Sequence, residues 1–489
     1  MNTMFQKISK KNIDRILNYA KRNGALKTCY KIAERLKRDD EEKDYSRVFI
    51  ESRPDENELK RQRNHVFSHP YRISILVPAY ESNPVFFKQM LNSVIRQTYA
   101  DWELCIADGS EHDDLKKVVM NVIGQCPDRL LGSRIKYQKL SENKGISGNT
   151  NVALSMASGD YIALLDHDDI LEENALFEVM KVLDEGIYRE GTITLNRTLL
   201  IYSDEDKVNA DQSRYFDHHR KPDFDIDLLR SNNYICHFLV VDSSVARKTG
   251  GFLQEYDGAQ DHDFIFRCVE QLKEENIKHI PRVLYHWRTS DMSTADNPES
   301  KLYAYASAKK AIEAHLKRLC IEAEVEETPH LGFFRVKYAD RGLKCITMTE
   351  EEFKSLGTEE IKSRGADAVM ILNGDIEPLT KDYLKELSGV LFRKEVGAVS
   401  GKILDSRNRI ESAGYTFDGE GKLIPENCGL NSHFSGYMHR ASIQHKTCGL
   451  PADCRMVKTE ALTDDSKDRI KAGYICVYDP FAVFRRKNG

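Results

Sequence analysis

Short apolar runs stopped by turn residues alternate with stretches of helical periodicity over the first part of this chain. Ile73-Ser74-Ile75-Leu76-Val77 is halted at Pro78, as a buried strand is. From Phe86 to Tyr99 the positions Phe87, Met90, Leu91, Val94 and Ile95 fall at helical spacing. Leu104-Cys105-Ile106-Ala107 reads as a second strand, closed by Asp108-Gly109-Ser110, and Ile135 to Leu140 as a third. A helix from about Ile146 to Ala157 comes next, then a fourth strand, Tyr161-Ile162-Ala163-Leu164-Leu165, that runs straight into Asp166. This order predicts an α/β domain with a mainly parallel central sheet covered by helices. Ligands bind beyond the carboxyl ends of such strands. The polar groups Pro78-Ala79-Tyr80-Glu81, Asp108-Gly109 and Asp166-His167-Asp168-Asp169 collect on that edge and make one cleft.

The signal is mixed from Leu199 to about Leu319. It holds strands near Leu200-Tyr202 and Phe238-Val241, a helix beginning near Asp261, a strand at Val283-Leu284-Tyr285 and a helix from about Lys301 to Leu319. This reads as the second half of the same domain. Residues 1–68 read as helical and polar, ending in the charged run Asp39 to Asp44 and a linker with Pro54. Past Thr328 a partial repeat begins. Ala368-Val369-Met370-Ile371-Leu372-Asn373-Gly374-Asp375 and the helix through Tyr383, Leu384 and Leu387 echo Tyr161 to Asp169 and the helix after it. Asn373 stands where the first copy has Asp166, so the repeat reads as a degenerate, shortened domain. The expected division is 1–68, 69–325 and 326–489.

Composition narrows the picture. A chain of 489 residues is long enough for two or three cores. It has no run of about eighteen apolar residues and no apolar leader, so neither a membrane span nor secretion is expected. Eleven cysteines without a CxxC pair read as free thiols in a reducing cytoplasm. A net charge of −5 gives no electrostatic case for nucleic acid. The first 38 residues are an exception, with eleven Lys or Arg against Asp14 and Glu34. Ile13, Ile16, Leu17 and Ala20 lie there at helical spacing. That pattern suits either a helix resting on an anionic membrane surface through residues 1–45 or a solvated helical face.

Three carboxylates at Asp166, Asp168 and Asp169 repel one another unless a cation sits between them. Oxygen ligands without cysteine favour Mg²⁺ or Mn²⁺, which keep waters and hold phosphates. Such strings also occur as surface turns and helix caps. Asp261, in Gln260-Asp261-His262-Asp263, stands at a helix start, where a carboxylate can be a general base or a plain cap. In Tyr285-His286-Trp287-Arg288, His286 could complete a metal's coordination and Arg288 could meet a phosphate, although a lone histidine is often structural.

Taken in order, six segments resemble glycosyltransferase family 2, in the type found in bacterial cell-surface polysaccharide clusters. They are Val77-Pro78-Ala79-Tyr80, Asp108-Gly109-Ser110, Asn143-Lys144-Gly145-Ile146-Ser147, Asp166-His167-Asp168-Asp169, Gln260-Asp261-His262-Asp263 and Tyr285-His286-Trp287-Arg288. The resemblance covers about residues 70–320 strongly and 330–489 weakly. It implies a GT-A fold and an inverting transfer from a nucleotide-sugar, UDP- or dTDP-linked, to a glycan or lipid-linked glycan. In its terms Pro78, Tyr80 and Glu81 line the nucleotide pocket with Asn143 and Gly145, and Asp108 hydrogen-bonds the base. Asp166 and Asp168 are the DxD pair, Asp261 is the catalytic base, His286 is a further metal ligand, and Arg288 faces the phosphates. Tyr202-Ser203-Asp204-Glu205-Asp206-Lys207 and Lys221-Pro222-Asp223 match motifs expected to face donor sugar or acceptor. Gln260 stands where many relatives have Glu, and Cys236 where a glycine is usual. The implied place of action is the cytoplasm or the inner face of the cytoplasmic membrane.

Two other readings stand beside this one. A sugar-phosphate nucleotidyltransferase would share the cleft and metal, but no glycine- and lysine-rich loop comes after the first strand. A non-catalytic scaffold on a transferase fold suits the degenerate C-terminal part better than the intact first part. A dehydrogenase is weaker still, since no GxGxxG comes after a strand.

Overall fold

The structure is a computed structural model and describes residues 10–41, 43–185, 188–189, 192–193, 197–289, 302–464 and 470–487. Two compact units emerge. The first comprises Glu42–Phe224 and Asn233–His315, and the second Met1–Glu41, Asp225–Asn232 and Leu316–Gly489. These boundaries fall at 41 and 315 where the sequence pattern predicts 68 and 325. The excursion at 225–232 has no counterpart in that pattern.

The strands of the first unit are β1 (Ile73–Ala79), β2 (Trp102–Asp108), β3 (Ile135–Lys139), β4 (Tyr161–Leu164) and β5 (Ile170–Leu171). A small pair, β6 (Tyr188–Arg189) and β7 (Thr192–Ile193), precedes β8 (Leu200–Val208), β9 (Tyr215–His219), β10 (Leu239–Asp242) and β11 (Ile277–Arg288). The central sheet runs β3-β2-β1-β4-β10-β8-β11-β5, with β9 added beside β8. Its β3-β2-β1-β4 half is parallel, as expected. The other half is mixed, because β10 runs antiparallel to both its neighbours. Strands β1 and β2 are buried almost throughout, between the Phe87, Met90, Leu91 and Val94 face of one helix and the residues under the opposite face. That two-sided burial explains their near-continuous apolar runs. The ladders set Ala79 opposite Asp108 and Leu76 opposite Leu164, so the three strand ends reach one edge.

The second unit's strands are β12 (Ala323–Glu327), β13 (Phe334–Tyr338), β14 (Cys345–Met348), β15 (Ala368–Leu372), β16 (Ile376–Pro378), β17 (Val396–Leu404) and β18 (Ile410–Ser412). Then come β19 (Tyr415–Phe417), β20 (Leu423–Pro425), β21 (His445–Thr447), β22 (Cys454–Lys458) and β23 (Ile475–Arg486). Its sheet order β14-β15-β22-β17-β23-β16 repeats β1-β4-β10-β8-β11-β5, each pair with the same direction. Among the described residues nothing corresponds to β2 and β3, the edge that carries Asp108. The ladders also fix residue equivalences. Both long parallel pairs slip at a bulge, after which Asp204 faces Val283 in one unit and Lys402 faces Val483 in the other.

The basic N-terminal segment forms the helices Lys10–Asn23 and Ala25–Glu41. The second helix packs within its unit. Tyr30 stacks on His433 at 4.6 Å, and Glu34 accepts from the Gly436 N–H at 2.8 Å. No helix among the described residues is long and apolar enough to cross a membrane.

Candidate active site

Asp166 comes after β4, Pro78 is the one partly exposed residue of β1, and Asp261 is the second residue of the helix Gln260–Val269. All three line one pocket with Ile146, Thr150, Cys236, His237, Phe252 and Gln260. The structure thus brings Asp166 and Asp261 together. Asp166 and Asp168 keep open faces, with side chains 46% and 32% exposed. Asp169 is different. It is buried and accepts from the Tyr285 hydroxyl at 2.5 Å and the Arg288 N–H at 2.7 Å, so it anchors β11 beneath the cluster.

His286 does not reach this cluster, which corrects the metal role expected for it. Its ring is 1% exposed, with Nδ1 2.5 Å from Asp206 and Nε2 2.9 Å from Glu172, so neither nitrogen has a lone pair to offer. The histidine beside the aspartates is His237, which no sequence motif singles out. Its Nδ1 lies 3.1 Å from Glu205 and its Nε2 4.0 Å from Asp166, and the ring stacks on Tyr285 at 4.6 Å. A carboxylate on Nδ1 orients Nε2 outward, the arrangement that prepares an imidazole for a metal. Ligand atoms of Asp166, Asp169 and His237 lie within 4.8 Å of one another. Burial opposes protonation of His237, but Cys236 and Glu205 raise its basicity well above the ordinary value.

Burial works against the charged form of His286, yet Asp206 and Glu172 outweigh it and hold the imidazolium up to about 9. A pKa raised on folding contributes stability below the unfolded value near 6.5 and loses it as pH climbs towards 9. The melting temperature is therefore expected to fall between pH 6.5 and 9.5, and less steeply in His286→Gln. Parallel slopes for the two proteins would contradict this.

Arg288 is buried, with Nε donating to the Asp168 carbonyl at 2.7 Å and Nη1 to the Ala210 carbonyl at 2.8 Å. Its Nη2 is buried without a hydrogen-bond partner. An orphaned guanidinium N–H beside open carboxylates fits a site that receives a diphosphate together with a divalent cation. Glu81 takes φ +45°. It accepts from the Glu111 N–H at 2.8 Å, and its own N–H donates to Ser110. Tyr80 is half exposed at the rim. Asn143 accepts from the Gly145 N–H at 3.1 Å, and Gly145 needs its missing Cβ, which at φ +73° would lie 2.9 Å from Asp257. Asp108 is the second correction. Its carboxylate is fully buried and taken by Ser110, Tyr137 and Lys139, so it fixes the turn and turns no face to a base. Burial opposes its charge, but those donors hold its pKa below the ordinary value.

Tyr202–Lys207, expected at the ligand, lies in β8 as a nearly buried strand whose acids face basic partners. Asp204 meets His279 at 2.9 Å, Glu205 meets His219 at 3.2 Å, and Asp206 meets His286. Asp261 itself accepts from Asn233 Nδ2 at 2.8 Å.

In the second unit the same edge borders a pocket lined by Glu350, Lys354, Asn373 and Asp375, and its polar groups are paired with one another. Asn373, equivalent to Asp166, accepts from the Glu350 N–H at 2.8 Å, at the start of a helix that Thr349 and Glu352 cap. Asp375 and Asp453, at the places of Asp168 and His237, are bridged by the Arg486 guanidinium at 2.6 and 2.8 Å, which also meets Glu411 at 2.6 Å. A side-chain cation thus neutralises what remains of the acidic cluster.

Residues 74–190 match the family model described as glycosyl transferase family 2. An uncharacterized protein of Sinorhizobium fredii is 29% identical over 79% of this chain and 48% of its own length. The O-antigen biosynthesis protein RfbC of Myxococcus xanthus is 26% identical over 70% of this chain and 30% of its own. A UDP-Glc:α-D-GlcNAc-diphosphoundecaprenol β-1,3-glucosyltransferase of Escherichia coli is 37% identical over 22% of this chain and 38% of its own. The chain spans less than half the length of these relatives.

Proposed function

With residues 74–190 matching the glycosyl transferase family 2 model, we propose that the chain is an inverting glycosyltransferase acting in bacterial cell-surface polysaccharide assembly. It moves a sugar from a nucleoside-diphosphate donor to a hydroxyl of a glycan or lipid-linked glycan. The observation that carries this reading is the shared pocket of Asp166 and Asp261, which supplies one edge for the diphosphate and one carboxylate for the acceptor. The relatives that act in O-antigen synthesis and on a diphosphoundecaprenol-linked sugar support the acceptor class, and the second of these supports a UDP donor.

Pro78, Tyr80 and Glu81 after β1, with Asn143 and Gly145, frame the nucleotide, while Asp108 holds their turn in place. Arg288 offers its free N–H to a phosphate oxygen. Asp166 and Asp168, with His237 as a nitrogen ligand, would hold Mg²⁺ or Mn²⁺, which would supply positive charge to the departing diphosphate. Asp261 takes the proton of the attacking hydroxyl, and the Asn233 amide fixes the carboxylate that does so. The second unit is non-catalytic, with Arg486 at the centre of its residual acids. The basic N-terminal residues 1–45 favour work at the inner face of the membrane.

Asp168→Ala is expected to remove the Mn²⁺-dependent part of UDP binding, seen by calorimetry with and without the ion. Equal Mn²⁺ enhancement in variant and parent would take Asp168 out of the metal site. The reading as a whole is tested by incubating the protein with UDP-, dTDP- and GDP-sugars and Mn²⁺. A scaffold would release no nucleoside diphosphate from any of them.

A further inference from the structure

The loop before β10 and the middle of β8 bring a second set of ligand atoms to His237. Cys236 Sγ lies 3.4 and 3.5 Å from the two ring nitrogens. Of these, Nδ1 is the one that Glu205 Oε2 also approaches, at 3.1 Å. Ligand atoms of Glu205, Cys236 and His237 all lie within 4.8 Å of one another. Cys236 takes φ +35°, a conformation that disfavours any side chain, so the thiol stands here against the preference of its own backbone. Cys236 and His237 line the pocket of Asp166 and Asp261, which gives a solute a way in.

Sulfur, nitrogen and oxygen together suit a borderline-soft cation, whereas Asp166 and Asp168 offer oxygen alone. Tetrahedral Zn²⁺, at about 2.3 Å from sulfur and about 2.0–2.1 Å from nitrogen and oxygen, sets its ligand atoms about 3.3–3.6 Å apart. The 3.1 and 3.4 Å separations around Nδ1 come close to that. Two cationic neighbours oppose an added charge. Glu205 also meets His219 at 3.2 Å and the Lys221 ammonium at 3.4 Å, and Lys221 is held in place by the Ile235 carbonyl at 2.7 Å. Zn²⁺ avoids the conflict by taking the places of the thiol proton and of the Nδ1 proton that faces Glu205. Both leave to solvent, and two positive charges replace two.

We propose that Glu205, Cys236 and His237 form a Zn²⁺ site, distinct from the edge at Asp166 and Asp168, and that its occupancy competes with the donor's cation. With Nδ1 on zinc, the remaining ring proton sits on Nε2, which then has no lone pair for a cation at Asp166. The Cys236 thiol, which donates to Asp261 Oδ2 at 3.7 Å, is withdrawn from that carboxylate at the same time. The competition rests on the proposed part of His237 in holding the donor's cation. The site itself stands without it.

The test uses the full, reduced chain with Co²⁺ as the spectroscopic stand-in for Zn²⁺. Thiolate ligation gives Co²⁺ an intense near-ultraviolet charge-transfer band that carboxylates alone do not. The parent should develop this band with a single equivalent of Co²⁺ and lose it when Zn²⁺ is added. Cys236→Ser and Cys236→Gly should each lack the band, and glycine suits the backbone there, so the second variant is expected to fold. Glu205→Gln should bind Co²⁺ at least tenfold more weakly. Asp168→Ala should keep the band, because its carboxylate belongs to the other edge. Bands of equal strength in the parent and Cys236→Gly, as the other cysteines would give, or no band in either, overturn the site. The competition is read by calorimetry. Zn²⁺ should weaken Mn²⁺-dependent UDP binding at least tenfold in the parent and not in Cys236→Gly, and an equal effect on both overturns it. If the parent binds no UDP with Mn²⁺, the donor reading fails, while the Co²⁺ band still decides the zinc site.

Discussion

Asp261→Asn is expected to cut sugar transfer by about 10²–10⁴-fold, the usual contribution of a general base, while donor affinity stays near that of the parent. Position alone leaves Asp261 open to two readings, a base or a helix cap. The structure sets the cap aside. The helix Gln260–Val269 has Ala259 at its cap position and no side-chain cap bond. Asp261 instead spends one oxygen on Asn233 and lines the pocket of Asp166. An asparagine there keeps the shape and can still accept from Asn233, but cannot take a proton. Asn233→Ala should show a smaller loss, confined to kcat, because it frees the carboxylate without removing it. The measurement is nucleoside diphosphate release with an acceptor glycan, alongside calorimetry with UDP. Near-parental turnover in Asp261→Asn would leave the residue with no chemical role.

What the sequence makes legible is whatever is written locally. The runs Ile73–Val77, Leu104–Ala107 and Tyr161–Leu165 are apolar because both sheet faces are covered, and each ends in the polar residues that build the cleft. The copy at Ala368–Asp375 is visible for the same reason, and the structure extends it to six strands in matching order. Strand β8 is legible only at its first residues. Asp204, Glu205 and Asp206 read as residues facing the ligand until His279 and His286, from far along the chain, and His219, from the neighbouring strand, meet them. The same distance hides the roles of the histidines. His286 sits in a motif that stands out in sequence, yet two carboxylates enclose it. His237 sits in an unremarkable stretch, yet its place beside Asp166 is set by Glu205 and Tyr285, neither of them a sequence neighbour. Buried charges follow pairing, and pairing across a hundred residues leaves no periodicity to find.

The excursion at Asp225–Asn232 carries the largest stability effect expected in this chain. Its short helix Ile226–Ser231 belongs to the second unit, where Asp227 forms a two-pronged pair with Arg393, Oδ2 to Nη2 at 2.9 Å and Oδ1 to Nη1. The Tyr338 hydroxyl donates to the same carboxylate at 3.3 Å, and Arg230 lies 4.0 Å away. Asp227 and Arg393 are 1% and 8% exposed, so neither charge has water to fall back on. Burial opposes the Asp227 charge, but Arg393 and then Arg230 hold its pKa below the ordinary value. Removing one partner of such a pair strands the other and costs about 3–5 kcal/mol, roughly 10² to 5 × 10³ in the folding equilibrium. Asp227→Ala should therefore lower the stability of the second unit by that amount in urea denaturation followed by circular dichroism. The double change Asp227→Leu with Arg393→Met should recover most of it, since apolar groups of similar size leave no charge unpaired. The two tryptophans, Trp102 and Trp287, both lie in the first unit, so their fluorescence reports that unit alone. A fluorescence transition that stays put while the dichroism transition moves would show the units unfolding separately. A loss below about 1 kcal/mol, typical of an exposed ion pair, would mean that the pair is hydrated and contributes little.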